Sequence, residues 1–196
     1  ALAAPPNANP AFFGSPVSFA IAASPVAPGG GIVQGTVSVS VDGGKATTVT
    51  LHAAGKAAFS VSGLAVGDHA VSFSYPGSTN YTAAKLDETL TVAKAPTSSK
   101  VSFNPATGTY GVTNSVMVVV TNPGGAPATE GTVAVSYHLA GDPTVVSLGT
   151  VTVDQAAIGL PFPTLDPGDY LFTADYSGGP DFVANSAVDV PFASAK

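Results

Sequence analysis

The chain contains two copies of one pattern, and this internal repeat constrains its fold more than any other feature. Residues 35–41 read GTVSVSV and return as GTVAVSY at residues 131–137. A tyrosine-containing turn that begins at Tyr75 returns at Tyr176. The copies are offset by about 96 residues at the first block and about 101 at the last, which is the size of a globular domain rather than of a solenoid turn. The sequence therefore predicts two tandem copies of one domain.

The boundary between the copies is predicted at Ala-Lys-Ala-Pro-Thr, residues 93–97. This places the first domain at residues 1–95 and the second at residues 96–196. The junction is short, and Pro96 restricts its backbone. We therefore expect an extended pair of domains rather than a folded-back one.

Apolar side chains alternate with small polar ones, which is the period of a strand with one buried face. The alternating apolar sets are Val17, Phe19, Ile21 and Ala23; Val37, Val39 and Val41; Val71, Phe73 and Tyr75; Val116, Val118 and Val120; Val133, Val135 and Tyr137; and Tyr170, Phe172 and Ala174. Turn signals rich in Gly and Pro separate these runs, and helical periodicity is lacking. The pattern predicts an all-β chain of two immunoglobulin-like antiparallel β-sandwiches, each with about seven strands.

A short motif in the second copy has the form of a tyrosine corner. Leu165, Gly168 and Tyr170 stand in the pattern Leu-x-Pro-Gly-x-Tyr. In such a corner the tyrosine hydroxyl bonds to backbone a few residues upstream and clamps the turn between two sheets. We predict a structural role for these three residues, with Tyr170 largely buried.

The first copy has histidine where the second has this tyrosine. Leu64, Gly67 and His69 occupy the corresponding places. An imidazole N–H can make a similar bond with a shorter reach. We therefore predict that His69 is also structural rather than catalytic.

Composition excludes several classes of function. The net charge is −6 and the chain has no Arg, so the basic surface that nucleic acids require is lacking. No apolar run has the length of a membrane span. The chain has no Cys, which excludes cysteine catalysis and cysteine metal sites. We therefore expect neither nucleic acid nor membrane as a partner.

The sequence predicts no catalytic, cofactor or metal site. His52, His69 and His138 do not occupy matching places in the two copies and lack the spacing of zinc ligands. Acidic residues such as Asp166 and Asp169 are scattered singly in turns, so turn formation explains them better than calcium binding, which stays open at the domain boundary. A nucleophile elbow of the form Gly-x-Ser-x-Gly is lacking. We therefore predict that the chain is not an enzyme.

The start of the first copy predicts an interaction edge. The second copy opens with residues 97–105, a full first strand before Tyr110-Gly111. The first copy has only residues 1–6, which end in two prolines, ahead of the equivalent Phe13-Gly14. Prolines donate no backbone hydrogen bond, so one sheet edge is expected to be under-covered, with Phe12 or Phe13 beside it. Two interpretations stay open. The edge contacts a neighbouring copy, in a head-to-tail assembly, or a preceding domain of the same long protein; alternatively, it is covered by preceding residues of a longer chain.

The residues resemble one known family, the bacterial immunoglobulin-like repeat domains found in tandem in large exported proteins. The resemblance is carried by residues 35–43, by Gly55, Lys56, Ala57 and Phe59, by Gly63, Leu64, Gly67 and His69, by Tyr75, Gly77, Asn80 and Tyr81, and by Leu90, Thr91 and Val92. It covers most of residues 10–95 and residues 97–196 more loosely, since residues 159–162 depart from the first copy. The resemblance implies an exported structural or adhesive role and no conserved active site.

From this resemblance we expect a non-enzymatic spacer of an extracellular or cell-surface bacterial protein or fibre, with other Ig-like domains as partners. An adhesive module for a glycan or protein and an accessory domain of a secreted hydrolase are the alternatives.

Overall fold

The structure, a computed structural model, describes residues 1–154 and 157–196. These residues form two compact units, Ala1–Ala93 and Lys94–Lys196. Each unit packs a three-stranded sheet against a five-stranded sheet. The prediction of two tandem immunoglobulin-like β-sandwiches is confirmed.

The strands of the first unit are β1 Leu2–Ala3, β2 Ala11–Phe12, β3 Val17–Ala23, β4 Gly35–Val41, β5 Thr47–Leu51, β6 Lys56–Val61, β7 Gly67–Tyr75 and β8 Ala84–Ala93. One sheet has the order β1-β3-β6 and the other β2-β8-β7-β4-β5. A single 3₁₀ turn, Ala53–Gly55, joins β5 to β6.

The strands of the second unit are β9 Ser98–Asn104, β10 Gly108–Thr109, β11 Asn114–Thr121, β12 Thr132–Leu139, β13 Val146–Thr152, β14 Ile158–Phe162, β15 Gly168–Tyr176 and β16 Asn185–Ala195. The sheet orders are β14-β11-β9 and β10-β16-β15-β12-β13. Strand for strand, this is the topology of the first unit, so the sequence repeat is also a structural repeat.

In each unit the opening segment is divided between the two sheets. β1 pairs antiparallel with β3, whereas β2 pairs parallel with β8. The second unit repeats this with β9 on β11 and a parallel pair of β10 and β16. Pro5, Pro6 and Pro10 lie between β1 and β2. Proline cannot donate to a strand ladder, so the segment leaves one sheet and joins the other.

This arrangement corrects the expectation of an under-covered edge at residues 1–14. The segment pairs within its own unit, since Leu2 lies opposite Ala23 and Ala11 lies opposite Val92. Between these pairs the Ala20 N–H donates to the Pro5 carbonyl at 3.1 Å. The Pro5 carbonyl therefore accepts a bond although the proline nitrogens donate none, and the Asn7 N–H donates to the Ser18 carbonyl at 2.8 Å.

The alternating residues form the two cores as predicted. In the first unit Phe19 is fully buried, with its ring centroid 5.4 Å from that of Phe73. In the second unit Phe172 is fully buried among other aromatic rings. The departure noted at residues 159–162 lies in β14, where Pro161 is tolerated because β14 is an edge strand.

Candidate functional site

The tyrosine corner of the second unit has a buried ring and a bonded hydroxyl. Tyr170 is 8 % exposed, and its hydroxyl donates to the Asp166 carbonyl at 3.1 Å. Burial, followed by the charge of Asp166, raises the pKa of the Tyr170 phenol. Leu165 is buried and its carbonyl accepts from the Ser194 hydroxyl at 3.1 Å, while Gly168 begins β15. The turn is therefore bonded at two carbonyl groups.

We predict that Tyr170→Phe lowers the free energy of unfolding of the second unit by about 0.5–1.5 kcal/mol, the usual net value of one hydrogen bond. The substitution keeps the buried ring and removes only the donor to Asp166. Urea unfolding of the full chain measures the change. An unchanged unfolding midpoint would show that the hydroxyl does not act as a clamp.

The corresponding corner of the first unit is built around His69. Its Nε2 lies 2.9 Å from the Ala65 carbonyl oxygen, as the tyrosine hydroxyl of the second unit lies near Asp166. Its Nδ1 lies 2.7 Å from a carboxylate oxygen of Asp42. Leu64 packs half-buried against the core, and Gly67 begins β7 with a φ of 138°.

Both acceptors facing His69 lack a proton, so the imidazole must donate from both nitrogens to satisfy them. A neutral imidazole carries one N–H, whereas the imidazolium carries two. The hydrogen bond to Asp42, followed by the bond to the Ala65 carbonyl, raises the pKa of His69. The bond from His69 likewise lowers the pKa of Asp42. The ring is mostly buried while Asp42 is half exposed, so the pair is a surface clamp of β7 onto the β4 turn.

We predict that the first unit is most stable at pH values where His69 is charged. Its folded pKa is raised, so its stabilising contribution is complete below the ordinary histidine pKa of 6.5 and is lost as the pH rises through the folded value. The Asp42 contribution is lost only in acid, since the pKa of that group is lowered. Unfolding midpoints between pH 5 and pH 9 measure the effect.

Asp42→Asn is the matched control for the pH prediction. It removes the charge that favours the imidazolium and should flatten the decline of stability above neutral pH. An equal decline in Asp42→Asn and in the unaltered chain would assign the pH dependence to other groups.

Sequence reasoning missed a second tyrosine clamp that both units share. The hydroxyl of Tyr75 donates to the Gln34 carbonyl at 2.9 Å, and that of Tyr176 donates to the Glu130 carbonyl at 2.8 Å. These bonds fix the loop before β4 and the loop before β12. The signal was available, because Tyr75 and Tyr176 repeat at matching positions and each faces a loop that ends in the repeated Gly-Thr-Val.

The remaining histidines and acids are dispersed. His52 lies exposed at the 3₁₀ turn and His138 lies half-buried on β12. Asp68 accepts from Thr91 at 2.7 Å, and Asp175 accepts from Ser186 at 2.5 Å. Among residues 1–154 and 157–196, no group of three or more His, Asp or Glu side chains is placed to hold a metal ion. The same residues include no helix of the length and apolarity needed to cross a membrane.

The two phenylalanines of the predicted interaction edge face different surroundings. Phe12 is 47 % exposed on β2, and Phe13 packs against the core of the first unit. The Phe13 N–H also donates to the Ala93 carbonyl at 2.9 Å. One apolar ring is therefore presented at this edge, beside backbone that is paired within the unit.

A cavity of about 430 Å³ lies at the loop end of the first unit. Its walls come from the β3–β4 loop, from the β7–β8 loop at Asn80, Tyr81 and Thr82, and from the start of the chain. The Tyr81 hydroxyl donates to the Gly30 carbonyl at 3.0 Å and holds the two loops together. The wall is mixed, with apolar side chains and exposed backbone groups.

The corresponding end of the second unit is covered by the segment that precedes β9. Ala95 forms a parallel bridge with Phe182 and is 1 % exposed. The Lys94 ammonium donates to the Gly179 carbonyl at 2.7 Å, and the Thr97 hydroxyl donates to the Val183 carbonyl at 2.7 Å. Residues 94–97 are therefore an integral part of the second unit.

Comparison with known families finds a match for the first unit. Residues 3–93 match the model described as bacterial Ig-like domain (group 3). The match spans nearly all of the first unit. A search of curated proteins finds no significant match.

The comparison with solved structures finds similarities at low identity. A segment of two fibronectin type-III domains of chicken tenascin is 17 % identical, with a TM-score of 0.47 over 96 % of each chain. The Yersinia pseudotuberculosis adhesin InvE is 17 % identical, with a TM-score of 0.41 over 98 % of this chain and 58 % of InvE. The Escherichia coli adhesin FdeC is 18 % identical, with a TM-score of 0.37 over 96 % of this chain and 63 % of FdeC.

Proposed function

We propose that the chain is a non-enzymatic spacer of an exported bacterial surface protein, and the premise is the match of residues 3–93 to the bacterial Ig-like domain (group 3). In this role each unit is one bead of a string of Ig-like domains outside the cell. The string sets the distance between its two ends, and other Ig-like domains of the same protein are its partners.

The observation that carries the proposal is the attachment of the linker to the second unit. A spacer must resist bending where one domain follows another, and a freely jointed linker would defeat this. Here Ala95 exchanges two backbone bonds with β15–β16 loop residues: its N–H donates to the Asp181 carbonyl at 2.8 Å, and its carbonyl accepts from Val183 at 2.9 Å. The Thr97 hydroxyl adds a side-chain bond and also accepts from the Asn185 amide.

The loops of each unit are held by hydrogen bonds, which suits a rigid module. Tyr75 and Tyr176 tie the loops before β4 and β12 to the sheets. Tyr170 and His69 tie the turns before β15 and β7. These aromatic and imidazole groups serve the scaffold, which favours a structural function over a catalytic one.

The adhesive alternative requires a surface that binds a glycan or a protein. A glycan platform uses neighbouring aromatic rings, but the two aromatic side chains that are most exposed in the described residues, Tyr110 and Phe12, belong to different units. A chain that is an accessory domain of a secreted hydrolase would still hold other domains apart as a spacer does. The spacer is therefore the proposal that we carry to experiment.

The test is a distance measurement between spin labels on the two units. The chain has no native cysteine, so cysteines introduced at the exposed Lys45 and Asp142 are the only labelling sites. We expect one narrow distance distribution in the labelled full chain. Thr97→Val, which keeps the side-chain shape and removes both hydroxyl bonds, should broaden it.

A broad distribution in the chain that retains Thr97 would contradict the spacer. Retention of the unlabelled chain on a glycan array would support the adhesive alternative. The two measurements together separate a rigid spacer from a flexible tether that carries a binding surface.

A further inference from the structure

The loops that connect the last two strands of each unit have the same conformation. In the first unit the Ser78 N–H donates to the Tyr81 carbonyl at 2.8 Å, and in the second the Gly179 N–H donates to the Phe182 carbonyl at 3.0 Å. Gly77 and Gly178 both have positive φ, and a Cβ on either would meet backbone of the same loop within 3.0 Å. The loops can therefore be compared residue by residue.

In the second unit this loop holds an extended segment as an added strand. The Asp181 carbonyl accepts from the Ala95 N–H, and the Val183 N–H donates to the Ala95 carbonyl. The loop thus offers one acceptor and one donor on either side of Phe182. The Ala95 side chain is enclosed, since the residue is 1 % exposed.

In the first unit the matching groups are the Asn80 carbonyl and the Thr82 N–H. Both residues are exposed and line the cavity of about 430 Å³. Within residues 1–154 and 157–196, no hydrogen bond involves that carbonyl or that N–H. The cavity therefore presents the same acceptor and donor pair, on either side of Tyr81, that the second unit uses to hold Ala95.

Strand register shows where a segment would enter this cavity. Leu2 lies opposite Ala23, the last buried residue of β3, and Ser99 lies opposite Val120, the last buried residue of β11. Ala1 thus corresponds to Ser98, and residues 94–97 correspond to a tetrapeptide directly before Ala1. Ala1 itself lines the cavity, so such a segment would enter it at once.

We propose that this cavity is a docking site for the linker of a preceding Ig-like unit, a segment of the form Lys-Ala-Pro-Thr that pairs with Asn80 and Thr82. The inference deepens the proposed spacer function and rests on it, because it names the partner that the first unit takes in a string of domains. The alanine of this segment enters the cavity and forms a parallel bridge with Tyr81, as Ala95 does with Phe182 in the second unit. The lysine reaches the Ser78 carbonyl, as Lys94 reaches Gly179.

The end of the second unit has the sequence that such a linker requires. Phe12 lies opposite Ala93 in one unit, and Thr109 lies opposite Ala195 in the other, so Ala195-Lys196 matches Ala93-Lys94 in register. In each unit the last strand therefore ends at an alanine, and a lysine follows it directly. The shared Ala-Lys pair at this register suits a repeated connection between units of this kind.

The cavity also limits which residue can follow the lysine. The Tyr81 hydroxyl bond to Gly30 draws the β3–β4 loop against the β7–β8 loop. A Cβ on Gly31 would lie 2.7 Å from the Tyr81 hydroxyl oxygen, so this contact is already close. An alanine docked here would be enclosed as Ala95 is, at 1 % exposure, so a charged side chain at the same position would be buried in place of a methyl group.

The experiment adds Lys-Ala-Pro-Thr before Ala1 of the full chain. Amide hydrogen exchange, followed by nuclear magnetic resonance, reports on the Thr82 N–H. We expect exchange at Thr82 to slow at least tenfold relative to the unextended chain. The Val183 N–H, which is paired in all variants, is the internal reference.

The matched control adds Lys-Glu-Pro-Thr, which has the same length and backbone but a charged side chain at the alanine position. It should leave Thr82 exchange near the unextended value. Unchanged exchange at Thr82 in the Lys-Ala-Pro-Thr chain would overturn the proposal, and so would equal slowing by both extensions. Neither outcome alters the spin-label distances, so failure of the docking site and failure of the spacer are separate results.

Discussion

Phe172→Ala is expected to lower the free energy of unfolding of the second unit by about 3–5 kcal/mol, the range for removing a fully buried phenylalanine ring. Phe172 is 0 % exposed at the centre of β15. Its ring centroid lies 4.9 Å from that of Phe103 and 5.1 Å from that of Phe162. Those neighbours belong to β9 and β14 in the opposite sheet, so the substitution removes contacts that join the two sheets.

The loss of unfolding free energy in Phe172→Ala lies in the upper part of this range if the surrounding rings cannot fill the space that the removed ring leaves. Tyr137 is stacked on Phe172 at 5.3 Å, and Phe192 packs against it at 5.8 Å. Rings on rigid strands move little, so most of the space left by Phe172 should persist. The cavity term then adds to the lost transfer free energy.

Urea unfolding of the full chain, followed by resonances of the second unit, measures the loss. Tyr110→Ala is the matched control, because it removes an aromatic ring from the same unit that is 60 % exposed. It should change stability by less than about 0.5 kcal/mol. Similar losses in both variants would show that ring contacts around Phe172 do not determine the stability of this sandwich.

The sandwich core was predictable because burial follows a period of two in both copies. Val37 and Val39 on β4, for example, are fully buried, as their alternation with Thr36, Ser38 and Ser40 indicates. The repeat then doubled the information, since a strand found in one copy predicted a strand in the other. β14 pairs with β11 in the second unit as β6 pairs with β3 in the first, although the residues of β14 and β6 differ.

The bonding at the corners was only partly predictable. Tyr170 and Asp166 are four residues apart, so a local motif can describe their contact. His69 and Asp42 are 27 residues apart and meet only because β4 and β7 are neighbours. A pairwise contact between two strand ends depends on register, and the sequence alone does not fix register.

The N-terminal edge shows the limit of reading strands from side chains. Residues 1–6 contain two prolines and no alternation, so they predicted a poorly paired edge. The pairing uses carbonyl groups that proline retains, as in the bond from Ala20 to Pro5. A sequence pattern shows which residues lack a backbone N–H and which side chains are apolar. Every residue carries a backbone carbonyl, so the pattern does not show which carbonyl groups are paired.

Gly131→Ala is expected to destabilise the second unit by about 2–5 kcal/mol, from about 1–2 kcal/mol of left-handed backbone strain and about 1–3 kcal/mol of overpacking. Gly131 has a φ of 85°, and a Cβ there would lie 2.2 Å from the Gly178 carbonyl oxygen and 2.9 Å from the Tyr176 ring. The Tyr176 hydroxyl holds the Glu130 carbonyl, and Thr132 and Ser177 exchange bonds at 2.9 Å. These bonds keep the clashing backbone in place.

Gly125→Ala separates the two contributions. Gly125 has a φ of 81°, close to that of Gly131, but a Cβ there would meet no atom within 4 Å. Its substitution should therefore cost only the backbone strain, about 1–2 kcal/mol. Urea unfolding of both variants gives the difference, which is the steric cost of the contact between the β11–β12 and β15–β16 loops. If Gly131→Ala proved no more destabilising than Gly125→Ala, the two loops would have to separate easily, and the Tyr176 clamp would not determine their spacing.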